Sequence, residues 1–277
     1  MTDTFDDTLF AFFTDLVYRH SGILLGERER GMLESRVGRR VRNLGLDSFW
    51  AYRERMRGNR GRDEIPALLD AVTINYTYFF REESQFAALS AEVFPEIVAR
   101  KEAEGSDRVR VWSAGCSSGE EPYSVAIAFQ EAVENAEWYD FQILATDINR
   151  RVLRTARNGS YPEDRLQQIP QEWHLKYLVR DAETPPGHLR ISPEIRRRIR
   201  FRRFNLQSNA DPLKDQFDVI FCRNVLMYFD EPAQQELLGR FRAILPRGAY
   251  LFVGESDELD TAPPGFTRIA FGVFRRG

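Results

Sequence analysis

The chain has 277 residues, of which 43% are hydrophobic and 29% charged, a composition that suits one large or two ordinary globular domains and excludes disordered, collagenous and membrane-embedded classes. Its 39 basic and 42 acidic side chains leave a net charge of −3, which argues against a surface built throughout to coat nucleic acid. Two cysteines more than 100 residues apart and three scattered histidines offer neither a disulfide framework nor a metal-ligand spacing, so no metal is expected.

In chain order, the start MTDTFDDTLF is acidic where a signal peptide is basic, and no apolar run approaches the ~18 residues that span a bilayer. A cytoplasmic protein with no membrane insertion is therefore expected. Phe5, Leu9, Phe12, Phe13, Leu16 and Val17 fall on one helical face, and Ser21-Gly22 follows as a stop signal. Met32, Leu33, Val37, Val41 and Leu44 repeat the pattern up to Gly45, and Phe49, Tyr52 and Met56 repeat it before Gly58. Residues 1–72 are expected to form a small helical domain. Within it, residues 28–62 carry eleven arginines against four acids, a local excess of +7 in a chain whose total is negative. A solvated helix face explains such a run; an electrostatic dock for an acidic partner explains why it is concentrated here.

After about residue 105, short apolar runs alternate with helical stretches, the pattern of a parallel sheet with crossover helices. The runs are Val109–Ala114, Phe141–Thr146, Phe217–Cys222 and Tyr250–Gly254. An α/β domain over 73–277 is expected. Residues 174–204, with a Pro185-Pro186-Gly187 turn between two polar alternating segments, suggest a small antiparallel insertion.

VRVWSAGCSSGEEPYSVAI (109–127) is a strand, a loop of small residues containing Gly115 and Gly119, and a helix opening Glu120-Glu121-Pro122. Such a loop lets a ligand approach backbone at the carboxyl end of a strand. The Gly-x-x-x-Gly spacing departs from the dinucleotide pattern, and carboxylates at the helix start would repel a pyrophosphate, so a nicotinamide cofactor is disfavoured. A nucleoside without phosphates fits better. Asp147 ends the next strand, where a carboxylate can accept both ribose hydroxyls, although an aspartate there can also serve as a helix N-cap. Together these features point to S-adenosylmethionine.

Four segments carry a more specific signal: TINYTYFFRE (73–82), WSAGCSSGEEPYS (112–124), ATDINRRVLRTARNGSY (145–161) and FDVIFCRNVLMYFD (217–230). In this order they resemble the CheR family of chemotaxis receptor methyltransferases. The resemblance implies an N-terminal helical domain joined to a class I S-adenosylmethionine-dependent methyltransferase (Rossmann-like) domain with a small antiparallel β insertion. It also implies cofactor contacts at Asn75, Thr77, Arg81, Gly115, Glu121, Asp147, Asn205, Leu206, Arg223 and Asn224. The implied reaction is methyl transfer to the carboxylate of glutamates in a chemoreceptor's cytoplasmic helix, with S-adenosylhomocysteine as product. Arg81, Arg223 and Tyr228 are the candidates for acting on the acceptor, and the basic helical domain is the candidate dock for it. A glutamate is already ionised at neutral pH, so no general base is needed. A monomer is expected. A module that binds the cofactor without transferring its methyl is the alternative, and transfer to receptor fragments separates the two.

Phe79 and Phe80 are expected in the core. Cys116 and Cys222 are expected to be reduced, small apolar residues near each other at the carboxyl ends of neighbouring strands, the first and fourth, as the resemblance implies.

Overall fold

A computed structural model describes residues 3–59, 61–208, 216–257, 259 and 261–277. The helical part begins with α1 (Asp7–Ser21), whose N-cap Asp6 accepts the Leu9 N–H at 2.9 Å and which ends at Gly22 with φ +74°. It continues with α2 (Arg30–Asn43), α3 (Phe49–Arg57) and α4 (Gly61–Val72). Their apolar stripes meet around Leu9, Phe13, Val37, Tyr52 and Leu68, all but fully buried. Each such side chain contributes on the order of 1.5–3 kcal/mol by leaving water. Beneath that core, the buried Glu64 accepts a hydrogen bond from Tyr52 (2.9 Å) and pairs with Arg40 (2.6 Å).

The basic run is therefore not one free face. Arg40 belongs to this buried cluster, and Arg36 donates to the carbonyls of Ala71 (3.1 Å) and Thr73 (2.7 Å), holding α2 against the end of α4. Arg30 pairs with Asp7 and Glu27, and Arg53 with Glu54. Arg28, Arg39, Arg42, Arg57 and Arg62 are exposed, and Arg60 lies outside the described residues.

Helices α5 (Glu83–Ala88) and α6 (Phe94–Glu104) lead into β1 (Arg108–Ala114). Then come α7 (Glu120–Ala132), β2 (Asp140–Asp147) and α8 (Arg150–Asn158). A small sheet follows, built from β3 (Ser160–Pro162), β4 (Leu178–Val179) and β5 (His188–Ile191) in the order β3-β5-β4, antiparallel, with α9 (Gln171–Tyr177) before β4. After α10 (Pro193–Arg196) the chain re-enters the large sheet as β6 (Ile199–Arg203), β7 (Val219–Cys222) and, beyond α11 (Glu231–Ile244), β8 (Tyr250–Val253). It closes with the hairpin β9 (Phe266–Ala270) and β10 (Val273–Arg276). The seven-stranded order is β6-β2-β1-β7-β8-β10-β9, with β6 to β8 mutually parallel and the hairpin antiparallel.

Alternation along the central strands divides the core in two. Val109, Val111, Val219, Phe221 and Phe252 face one way, toward Phe94 of α6 and Phe129 of α7. Trp112, Ala114, Ile220, Leu251 and Val253 face the other, toward Leu237 and Phe241 of α11. Phe79 is fully buried in the first of these cores and Phe80 packs against it.

Two expectations shift. The insertion does not occupy 174–204: its sheet takes its first strand from Ser160–Pro162, and Ile199–Arg203 belongs to the large sheet, paired in parallel with Ile143–Asp147. An edge strand needs only one buried face, so Ile199, Phe201 and three arginines suffice there. The first and fourth strands do lie side by side, as β1 and β7, but Cys116 and Cys222 join cores on opposite faces of the sheet. Both are free thiols, pushed well up from their ordinary pKa by burial. Cys222 ends β7 and keeps the alternation of that strand, whereas Cys116 lies beyond the end of β1, where Gly115 at φ +94° breaks the alternation and turns it to the face opposite Ala114.

Candidate active site

The strand order places the ends of β2, β1 and β7 side by side, and a cleft with about 1,070 Å³ of empty space, its open mouth included, lies over them. The loop after β1 makes room for it. Gly115 has φ +94°, and a Cβ there would stand 2.5 Å from a Val225 methyl, so a side chain would be both strained and blocked. The N–H groups of Gly115 and Cys116 both donate to the Thr146 carbonyl at 2.8 Å, pinning the loop to the end of β2.

Asp147 is the hub. Its Oδ2 accepts the Ser117 N–H at 2.9 Å and its Oδ1 the Asn149 N–H at 2.8 Å. Burial pushes its carboxyl up to about 6 against those bonds. The helix-cap role falls instead to Asn149, which accepts from the Arg151 and Val152 N–H groups and donates to Thr73 Oγ1 (2.7 Å). Each Asp147 oxygen still has a lone pair for a further donor. Ser117 ties the loop to a third segment, donating its hydroxyl to the Asn75 carbonyl at 2.9 Å.

The segment between α4 and α5 brings Asn75, Thr77 and Arg81 to the cleft. Arg81 donates to the Tyr76 carbonyl (3.2 Å) and lies against the Tyr78 ring. From α7, Glu121 accepts from Ser113 Oγ (2.7 Å); burial raises its pKa and Arg223 opposes that. Asn205 and Leu206 line the side beyond β6, with Asn205 donating to the His20 carbonyl at 3.0 Å. Arg223, Asn224 and Tyr228 come from the chain leaving β7, and burial raises the Tyr228 hydroxyl.

Every candidate residue from the sequence thus lines this one cleft. One role changes. The Arg223 side chain is only 2% exposed, and its guanidinium lies between Glu82 (3.1 Å) and Glu121 (3.4 Å) while donating to the Arg81 carbonyl. It braces the floor and does not extend toward an incoming acceptor.

Ser21, Ile23 and Leu25 were not anticipated. The link between α1 and α2 lies across the cleft wall, fixed by Leu24 N–H to the Tyr228 carbonyl (2.8 Å) and Tyr18 hydroxyl to Asp230 (2.6 Å). Alternating Ile23 and Leu25 after a helix stop was a signal for an extended, half-buried segment. Ile148 and Phe204, which end the same wall, were unmarked.

A parallel sheet of this order, capped by an antiparallel hairpin and bearing a cleft at its carboxyl edge with Asp147 at the end of the second strand, is the fold of a class I S-adenosylmethionine-dependent methyltransferase. Comparison with known proteins narrows the class. The family described as CheR methyltransferase, SAM binding domain, matches residues 75–272, and its companion, CheR methyltransferase, all-alpha domain, matches residues 8–73. The chain belongs to the CheR methyltransferase family. Similar proteins include a probable chemotaxis protein methyltransferase of Rhizobium etli, 37% identical over 94% of this chain and 96% of its own. The chemotaxis protein methyltransferase of Borreliella burgdorferi is 35% identical over 88% and 86%, and that of Escherichia coli 34% identical over 94% and 88%.

Proposed function

We propose that the chain methylates the side-chain carboxylate of glutamates on a chemoreceptor's cytoplasmic helix, with residues 1–72 docking the receptor and 73–277 performing the transfer. The observation that carries this reading is the convergence of Asp147, Glu121, Asn75, Thr77, Arg81 and Asn205 on one cleft. The helical part exposes Arg28, Arg39, Arg42, Arg57 and Arg62 to an acidic partner. The donor set suits S-adenosylmethionine: a buried carboxylate with free lone pairs for a ribose, an apolar slot by Leu206 and Phe204 for an adenine, and Glu121 for a cationic group.

S-adenosylmethionine supplies an electrophilic methyl group on a sulfonium. The chain's task is then placement and exclusion of water, which can account for several kcal/mol of barrier. Asp147 fixes the ribose, Asn205 and Leu206 flank the base, and Gly115, Asn75 and Thr77 shape the middle of the site. Arg223 holds Glu121 and Glu82 in place. Tyr228 and Arg81 orient the acceptor carboxylate, which arrives ionised, so no residue here has to remove a proton. Charge is lost during transfer, and Arg223 already offsets Glu82 and Glu121 beneath the cleft.

On the same reading the protein works in the cytoplasm as a monomer; no helix among the described residues is long and apolar enough to cross a membrane. The test is calorimetric titration with S-adenosylhomocysteine, followed by transfer of labelled methyl to receptor helix fragments. Label that alkali releases as methanol supports the ester. Binding without transfer to any glutamate-bearing fragment would overturn it.

A further inference from the structure

We infer that Asp257, which does not line the cleft, is the positioning residue that sets the cleft wall carrying Asn224 and Tyr228, an inference that rests on the methyl-transfer reading above. The chain leaving β7 must turn sharply to bring that wall over the site. Asn224 takes up the turn in the left-handed region, φ +57°, which a non-glycine residue holds only when its surroundings fix it. Those surroundings are chiefly one carboxylate. Asp257, all but buried in the short turn Glu255–Asp257 after β8, accepts the Asn224 N–H (2.5 Å) and the Gly254 N–H (3.0 Å) on Oδ2 and the Met227 N–H (3.1 Å) on Oδ1.

Three backbone donors from two strand exits thus converge on a single acceptor-only group. Contact between the exits is direct, since a Cβ on Gly254 would lie 2.6 Å from the Asn224 nitrogen. Glu82 makes a second tie, accepting from Asn224 Nδ2 and the Glu255 N–H, each at 3.2 Å. An amide in place of the Asp257 carboxylate would offer one acceptor oxygen and turn N–H against N–H. Burial raises the Asp257 carboxyl to about 6, and Glu82, Cys222 and Tyr228 are the titratable groups acting on or felt by it, so measurements belong at pH 8, where it is ionised.

The experiment compares full-length wild type, Asp257→Asn and Asp257→Glu for methyl transfer to a receptor helix, S-adenosylhomocysteine affinity, melting temperature and amide exchange. In Asp257→Asn, kcat should fall about tenfold or more. The Kd for S-adenosylhomocysteine should rise no more than about threefold, because Asp147, Glu121 and Asn205 sit on other strand ends. Exchange at the Asn224 and Met227 amides should quicken, and Asp257→Glu should recover part of kcat. A wild-type kcat in Asp257→Asn, or losses of kcat, affinity and melting temperature in parallel, would overturn the inference. If wild type itself binds S-adenosylhomocysteine but methylates no receptor, the functional reading fails instead. The exchange rates at 224 and 227 then still decide the positioning role.

Discussion

Replacing Asp147 with asparagine should weaken S-adenosylhomocysteine binding while leaving the domain folded. Each carboxylate oxygen already accepts one backbone N–H, from Ser117 or Asn149, and keeps one lone pair for a ribose hydroxyl. Asparagine keeps one acceptor oxygen and loses the charge, which removes about one charge-assisted bond of ~1.5–3 kcal/mol, or roughly 10- to 150-fold in Kd. Folding should change less, because two effects oppose. The amide leaves one of the two N–H donors without an acceptor, at about 1–3 kcal/mol. Against that, a carboxyl raised from 3.8 to about 6 holds its proton more tightly in the folded state. The associated stability is present below 3.8 and lost as pH rises through about 6, so at neutral pH the ionised group costs on the order of 3 kcal/mol that the variant escapes. The pH dependence supplies a second readout. Ribose hydroxyls bind the ionised form, so wild-type affinity should fall as pH drops below about 6, with proton release on binding there. The variant should be nearly flat through the same range. Calorimetry in buffers of different ionisation enthalpy measures both quantities. Wild-type affinity in Asp147→Asn, or an unchanged pH profile, would refute the ribose assignment.

Other expectations follow from the helical part and the loop. Neutralising the exposed Arg28, Arg39 and Arg42 together should slow receptor methylation and flatten its decline with salt, as screening shortens the Debye length toward ~8 Å, without altering S-adenosylhomocysteine affinity. Equal rates and equal salt response would reduce these arginines to a solvated face. Arg40→Ala should act differently, leaving Glu64 buried without its cation and lowering stability by about 3 kcal/mol, the lower end for a broken buried pair because Arg40 keeps some exposure; thermal melting reads this. Gly115→Ala should abolish measurable cofactor binding, since its Cβ would displace Val225 and the left-handed backbone resists it; retained affinity in a titration would contradict the close packing.

Where one physical requirement dominated, the sequence could be read directly. Central strands buried on both faces must be apolar throughout, so Val109–Ala114 and Phe217–Cys222 stood out, and with them the loop that has to carry Gly115. Gly115, Glu121 and Asp147 were legible from their places at strand ends, Asn75, Thr77, Arg81, Arg223, Asn224 and Tyr228 through motifs, and Asn205 and Leu206 only through the family resemblance. The arginine-rich strand Ile199–Arg203 escaped because an edge strand half in water has no apolar run to display, and Ser160–Pro162 because three residues give no period. Arg36 and Arg40 looked like neighbours of Arg39 and Arg42 on one charged surface; only the packing of α2 on α4 separates those that point inward. Asp257 carried no signal at all, since its partners are backbone N–H groups that any sequence supplies.

The link between α1 and α2 bears on how such enzymes can be recombined. Ser21, Ile23 and Leu25 belong to the helical part by sequence but form cofactor-cleft wall in space, and Leu24 is bonded to the Tyr228 carbonyl. A chimera that takes its N-terminal helices from a relative, joined after residue 72, would import a foreign cleft wall along with them. If those helices dock the receptor as proposed, receptor choice and cofactor affinity would then change together. A graft of α2, α3 and α4 should keep residues 18–25 from the host and also retain Arg36, Asp70 and Val72, because Arg36 holds the Thr73 carbonyl, Asp70 accepts from Asn149 and Arg150, and Val72 lines the cleft.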